Sequence, residues 1–298
     1  MNIKKVIKKY SPNWIIKPLR FFWRCTGSYI VAINQKVRLN KFHGQQKREV
    51  VFDNERITIL IQPRNGWVDN YIFLNSIHEP NILKVIKYSI SKGDIVVDIG
   101  ANIGQHTLFM SKFTGEKGKV YCFEPLNKNY RSIKKSIDLN NFKNVTVEKK
   151  AVGEKNTMIK IFIPNSNNDR SSRKLFEVSS DKYEETEMVT LDDYFSNKKI
   201  HFIKIDTEGF EPEVISGADK IITQHKPTIL LEYSPLFYEQ RKIESSSLLE
   251  YLSSQNYILN DIDSGYGHID DIEKYTKYLI TKGGGISNII AHYEKNVQ

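Results

Sequence analysis

The sequence predicts an α/β fold, a seven-stranded mixed sheet of the doubly wound kind, preceded by a basic N-terminal extension of helical or β character. Three observations carry this. From residue 95 to 152, short runs rich in Val, Ile, Phe and Tyr alternate with segments of helical apolar spacing. Strands separated by helices of that length form parallel sheets with right-handed crossovers. Near the C-terminus, runs at 257–262 and 286–291 follow each other with no clear helix between them, and read as an antiparallel hairpin that closes the sheet. The basic residues, finally, cluster at one end: residues 1–50 hold twelve Lys/Arg and one acid, Glu49, against 32 basic and 34 acidic residues in the remainder.

The elements follow in order. ITILIQ (58–63) and the segment near YIFLN (71–75) read as short strands around the turn-rich PRNGW, and EPNILKVIKYSI (79–90) as a helix. IVVDI (95–99), KVYCFE (119–124) and VTVEKKAV (145–152) are strands, with helices at 103–113 and 130–140 between them. MIKIFIP (158–164) and EMVTL (187–191) read as antiparallel additions around the polar loop NSNNDRSSR (165–173). HFIKID (201–206) resumes the sheet, followed by a helix at 209–222, a strand at 228–233 and a helix at 248–255.

At 298 residues, with 40% hydrophobic and 27% charged residues, the chain has an ordinary globular composition and can bury a sizeable core. It divides into an extension, 1–50, and a body, 51–298. Cys25 and Cys122 form no C-x-x-C or Cys/His ligand pattern, which fits a reducing compartment and argues against zinc. No secretory signal and no 18-residue apolar run is present, so a cytoplasmic protein is expected. The extension mixes its lysines and arginines with Trp14, Phe21, Phe22, Trp23 and Tyr29. That is the composition of a segment lying on an anionic membrane surface, which makes residues 1–40 a candidate peripheral attachment. A cap packed on the body accounts for the same residues equally well, since Pro12 and Pro18 interrupt a long amphipathic helix. Nucleic-acid binding is disfavoured, because no reading motif follows.

In VVDIGANIGQHT a strand ends at Asp98 and a turn bearing Gly100 and Gly104 leads into a helix. Glycines there allow close backbone approach, and the helix start offers free N–H groups. The G-x-x-x-G spacing lacks the middle glycine that a dinucleotide pyrophosphate needs, which disfavours a nicotinamide oxidoreductase. The next strand ends in Phe123-Glu124-Pro125, with Glu124 placed to accept both hydroxyls of a ribose. A tight turn and a surface acid would explain either motif alone. Together they point to an adenosine-containing ligand without phosphates, S-adenosylmethionine.

DIGANIGQHT, CFEP and IKIDTEGFE, in this order, resemble the FkbM family of class I S-adenosylmethionine-dependent methyltransferases over roughly residues 78–235. The resemblance implies a Rossmann-like sheet with a reversed last strand and methylation of a hydroxyl, often on a sugar or polyketide. By position it implies that Gly100, Asn102 and Gly104 line the methionine part of the donor, anchored by Asp98. Glu124 would then hold the ribose, and Asp206 would close the site near the methyl group. One departure stands out: where such enzymes often offer Asp or Asn to the adenine amine, this chain has Lys149-Lys150-Ala151. Adenine would then rest on backbone at Ala151 and on Phe123 or Pro125.

FIKIDTEGFEPE (202–213) places Lys204 in a strand buried on both faces, then four acids. A buried charge persists only when paired, so Lys204 is expected to meet Asp206, Asp98 or Glu232, either as a structural pair or at the reacting centre. Methyl transfer to an alcohol needs alignment and a base for the hydroxyl proton, for which Asp206 and His106 are the candidates. Asp206 with Glu208 or Glu232 could instead hold a divalent ion. Glu211 and Glu213 read as first-turn helix acids. A membrane-attached scaffold that keeps the fold without turnover is the non-enzymatic alternative.

Overall fold

The computed structural model describes residues 44–64, 66–163, 182–196, 198–281 and 285–294. The extension 1–40, residues 164–181 of the polar loop and two of the three glycines at 283–285 lie outside the described residues. Gln45–Gln298 forms one compact unit.

β1 (Gln46–Phe52) and β2 (Glu55–Ile61) pair as an antiparallel hairpin, so strand pairing begins ahead of residue 51. Asp53 and Asn54 close it at φ of 46° and 67°, the left-handed conformation a two-residue hairpin turn requires. The strand expected at 71–75 is instead part of a helix, α1 (Trp67–Asn75). Its buried residues Asp69, Ile72 and Phe73 recur at helical rather than alternate spacing. The Asp69 carboxylate also accepts the Gln62 N–H at 2.6 Å, tying the first turn to the end of β2. α2 (Pro80–Ser89) begins on a proline, which costs no hydrogen bond at a helix start, and buries Ile82, Leu83 and Ile86.

The strand–helix alternation then appears as expected: β3 (Ile95–Ile99), α3 (Gln105–Thr114), β4 (Lys119–Phe123), α4 (Asn127–Asn140) and β5 (Val145–Glu148), with the three strands parallel. The single strand expected over 145–152 is two. β6 (Lys150–Val152) leaves the main sheet and joins β7 (Thr157–Phe162) and β8 (Tyr183–Val189) in a separate three-stranded sheet, ordered β6-β8-β7. The break has polar causes on the far side: the Thr186 hydroxyl donates to the Lys149 carbonyl at 3.2 Å, and the Lys150 ammonium lies 2.9 Å from Glu187. β8 stops at Val189 because Thr190 caps a short helix, α5 (Leu191–Tyr194), its hydroxyl accepting the Asp193 N–H.

β9 (Phe202–Ile205) returns to the sheet between β3 and the later β10. The helix expected over 209–222 breaks into α6 (Glu211–Ser216) and α7 (Asp219–His225). Gly217 sits between them, and a Cβ there would lie 2.0 Å from the Gly153 carbonyl oxygen. β10 (Thr228–Tyr233), α8 (Pro235–Gln240), α9 (Ser247–Ser254), β11 (Tyr257–Asp261), α10 (Ile272–Thr281) and β12 (Ser287–Tyr293) complete the body. β11 and β12 pair antiparallel as expected, but α10 joins them where no helix was expected; its buried residues are Tyr275, Thr276 and Leu279.

The main sheet is the expected seven-stranded mixed one, in the order β11-β12-β10-β9-β3-β4-β5, with β12 running against both neighbours. Its central strands are buried on both faces: every residue of β9 is buried, Lys204 included. The carboxyl ends of β3, β4 and β9 therefore open side by side at one edge of the core, where ligands bind in sheets of this kind.

Candidate active site

The turn after β3 is built so that backbone, not side chain, faces the cleft. Gly100 has φ +76°, and a Cβ there would lie 1.8 Å from the carbonyl oxygen of Asp206. Asn102 follows at φ 54°, also left-handed. The Glu124 carboxylate, at the end of β4, clasps this turn: it accepts the Asn102 N–H at 2.8 Å and the Leu126 N–H at 3.0 Å. Gly100, Asn102, Glu124, Pro125, Ala151, Asp206 and Glu208 all line one cleft. Asn129, which sequence reasoning missed, lines it too, and its buried Oδ1 has no hydrogen-bond partner among the described residues. Its only sequence signal is a polar residue in the first turn of the helix after CFEP.

Other expected residues lie elsewhere. Asp98 is fully buried beneath the cleft rather than in its wall, accepting the Thr107 hydroxyl at 2.5 Å. Gly104 is absent from the lining; a Cβ there would meet Ile133 Cγ1 at 2.9 Å, so the position serves packing of α3 on α4. Lys204 is buried, 2.8 Å from Asp206 and 4.0 Å from Asp98. Burial alone would lower its pKa, but the Asp206 and Asp98 charges outweigh that and hold it raised, so the ammonium stays charged. Burial raises the Asp98 carboxyl, opposed by Lys204. Glu232 is pushed well up by burial and by the nearby Asp206, Glu208 and Glu211. Among the described residues no group of three or more His, Cys, Asp and Glu converges as a metal site, so Asp206, Glu208 and Glu232 do not form one together.

Glu211 does more than start a helix. It is fully buried and accepts the Thr207 N–H and hydroxyl, both at 2.9 Å, the Gly209 N–H at 3.1 Å and the Tyr238 hydroxyl at 3.0 Å. These four bonds hold the turn after Asp206, in which Glu208 and Gly209 have φ of 56° and 95°. Glu213 pairs with Arg241, whose guanidinium also donates to the Gly209 carbonyl at 2.6 Å. IDTEGFE is thus a locked loop, and its acids hold the backbone that carries Asp206.

A second recess is lined by Trp67, Tyr71, His78, Glu79 and Asp263. His78 and Gln105 exchange two hydrogen bonds, His78 N–H to Oε1 at 2.9 Å and Nε2–H to the His78 carbonyl at 2.7 Å. His106 does not line the first cleft; its Nε2 is 3.7 Å from Glu79 Oε2, and His78 Nδ1 is 3.4 Å from the same oxygen. Burial lowers His78 to about 4 and His106 well below the usual range, so both imidazoles are neutral at pH 7. Glu79 is pushed up to about 7 by burial, with the Asp206 charge adding and Lys204 opposing.

No curated protein matches the chain. Solved structures resemble its fold. An FkbM methyltransferase from Methylobacillus flagellatus aligns over 68% of this chain at 19% identity with a TM-score of 0.44, and the chain spans 44% of that protein's length. An rRNA methylase from Streptococcus thermophilus aligns over 72% of this chain and 95% of its own, at 12% identity and a TM-score of 0.41. An S-adenosylmethionine-dependent O-methyltransferase from Thermotoga maritima aligns over 84% and 79%, at 11% identity and a TM-score of 0.42. The family described as methyltransferase FkbM domain matches residues 98–259, more than half of the chain, from the acid before the glycine turn through Glu124 and the Asp206 loop to β11. The chain belongs to the FkbM methyltransferase family.

Proposed function

We propose that the protein transfers a methyl group from S-adenosylmethionine to a hydroxyl of a sugar, glycan or related natural product. The observation that carries the donor is the Glu124 clasp: a carboxylate at the end of the second parallel strand, fixed by the N–H groups of Asn102 and Leu126 in the lining of the cleft, the position from which an acid holds a ribose in sheets of this kind. Gly100 leaves a cradle that any side chain would fill, and the unpartnered Asn129 Oδ1 offers an acceptor inside it. Bound there, the donor supplies an electrophilic methyl on a sulfonium. The chain's own part is to bind, orient and take up a proton.

Calorimetry with S-adenosylmethionine tests the donor. Binding in the micromolar range, about −8 kcal/mol, is expected. Glu124→Ala should weaken it by about 1–3 kcal/mol through lost charge-assisted hydrogen bonds. Wild-type affinity in the variant, or tighter binding of NADH, would refute the assignment. Methyl transfer from labelled donor to fractionated cell glycans then tests the acceptor. The basic aromatic segment 1–40 adds peripheral attachment to an anionic membrane face to this reading, which would bring the enzyme to lipid-linked acceptors.

A further inference from the structure

The recess at Trp67 carries chemistry that the donor cleft does not use. His78 and Glu79 lie upstream of the family match at 98–259. The recess is tied to the start of the helix that follows the glycine turn, where Gln105 exchanges two hydrogen bonds with His78, and the charge of Asp206, which lines the donor cleft, acts on both Glu79 and His78. Trp67 leaves 53% of its surface exposed, and its indole is backed by Tyr71 at 5.1 Å and His78 at 5.0 Å between ring centres. An exposed, propped indole beside a carboxylate suits a hydroxylated ring, whose C–H face stacks on the aromatic surface while its hydroxyls reach the acid.

Two imidazole nitrogens face one carboxylate oxygen of the recess, Glu79 Oε2: His78 Nδ1 and His106 Nε2. Both His78 Nε2 and His106 Nε2 are buried without a hydrogen-bond partner among the described residues. The side chains of the two imidazoles are only 11% and 10% exposed, so these are desolvated polar atoms awaiting a partner rather than surface groups. Glu79 is held in the left-handed conformation, φ 49°, at the start of α2, and its side chain makes no capping hydrogen bond there.

We infer that this recess is the acceptor subsite and that Glu79 is the general base that removes the proton of the acceptor hydroxyl. The inference rests on the reading of hydroxyl methylation given above. The earlier candidates fit the role less well. Asp206 Oδ2 is engaged by the Lys204 ammonium at 2.8 Å, and His106 is buried beyond easy protonation. Glu79 faces two neutral imidazoles, the Lys204 and Asp206 charges and Asp263, and its position near 7 leaves it able to accept a proton at neutral pH. In the step itself the hydroxyl oxygen bonds to the methyl carbon as the carbon–sulfur bond breaks. That bond's electron pair stays on sulfur, leaving a neutral thioether, and the hydroxyl proton passes to Glu79. The one-third exposed Glu79 side chain (33%) then returns the proton to water.

A test without any acceptor uses two donor analogues on the full chain. Sinefungin carries an ammonium where the donor carries its transferable methyl, and S-adenosylhomocysteine carries nothing there. Affinities for both are measured calorimetrically near pH 7.5 in wild type, Glu79→Gln and Asp206→Asn. In Glu79→Gln, S-adenosylhomocysteine should bind as in wild type, while sinefungin binds about tenfold more weakly, the loss of one charge-assisted contact. In wild type alone, the preference for sinefungin should fall as the pH drops below about 7, where Glu79 takes up its proton. A preference that is flat with pH, or lost only in Asp206→Asn, or lost in Glu79→Gln together with S-adenosylhomocysteine binding, would overturn the assignment of Glu79 and leave the donor reading standing. Failure of wild type to bind S-adenosylhomocysteine would remove the donor reading, and this inference with it.

Discussion

At Gly100 the backbone of the first turn and the backbone of Asp206 meet with no room for a methyl group. Gly100→Ala combines a left-handed residue with a clash against a carbonyl, and should cost at least about 3 kcal/mol, or roughly 6–12 °C in Tm for a chain of this size. Thermal melting checks this, and an unchanged Tm would mean that the turn is not packed as described. Glu79 governs a pH effect. Its folded pKa of about 7 lies above the ordinary 4.5, so the stability linked to it is complete below about 4.5 and is lost as the pH rises through about 7. Glu79→Gln, which cannot ionise, should therefore gain on wild type as the pH climbs across that window and gain no more above it. His78, lowered from 6.5 to about 4, acts in the opposite sense, its contribution growing with pH between those values. Melts of both proteins across the range decide it, since a constant gap between them contradicts the assigned burial. Gly100, Glu124 and Asp206 are legible in the sequence because each ends a buried strand and is of a residue type with little other reason to be there. Glu79 is not legible: Glu-Pro before a helix reads as an ordinary start, and its partners His106 and Asp206 come from distant segments.

Among the elements, those that alternate β and α were readable because strands buried on both faces leave unbroken apolar runs. α1 and α10 were not: the apolar run of α1 mimics a strand, and the apolar residues of α10 vanish among lysines and tyrosines. The split of 145–152 depends on Thr186 and Glu187, residues far along the chain, so no local pattern announces it. α1 carries Trp67 and Tyr71, which line the recess proposed as the acceptor subsite. Its tie to β2 is Asp69, buried and bonded to the Gln62 N–H. Asp69→Ala should cost about 1–3 kcal/mol by removing this acceptor from the part-buried Gln62 N–H. Thermal or denaturant unfolding would show it, and a neutral result would mean that α1 is held by packing alone.

For the molecule as a whole, charge is divided sharply, with a surplus of eleven positive charges in residues 1–50 and two negative in the rest. Each basic residue near an anionic surface contributes about 1 kcal/mol at most, and salt screens it. The protein should therefore sediment with anionic vesicles at low salt and be released as salt rises. Deleting residues 1–40 should abolish sedimentation while leaving donor binding intact. If the deletion unfolds the body, the extension is a packed cap instead.

The order of the main sheet sets a timetable for its assembly. β12 is the last strand along the chain yet stands second in the sheet, between β11 and β10. Among the described residues β11 pairs within that sheet only with β12, so residues 257–261 join it through residues 287–293, which are made later. During synthesis the growing sheet must wait with β10 as a raw edge, its unpaired amides and carbonyls open to other chains. The body can thus close only once the ribosome has finished nearly all of it, and a nascent chain stalled near residue 280 would present the sticky edge that the completed protein hides.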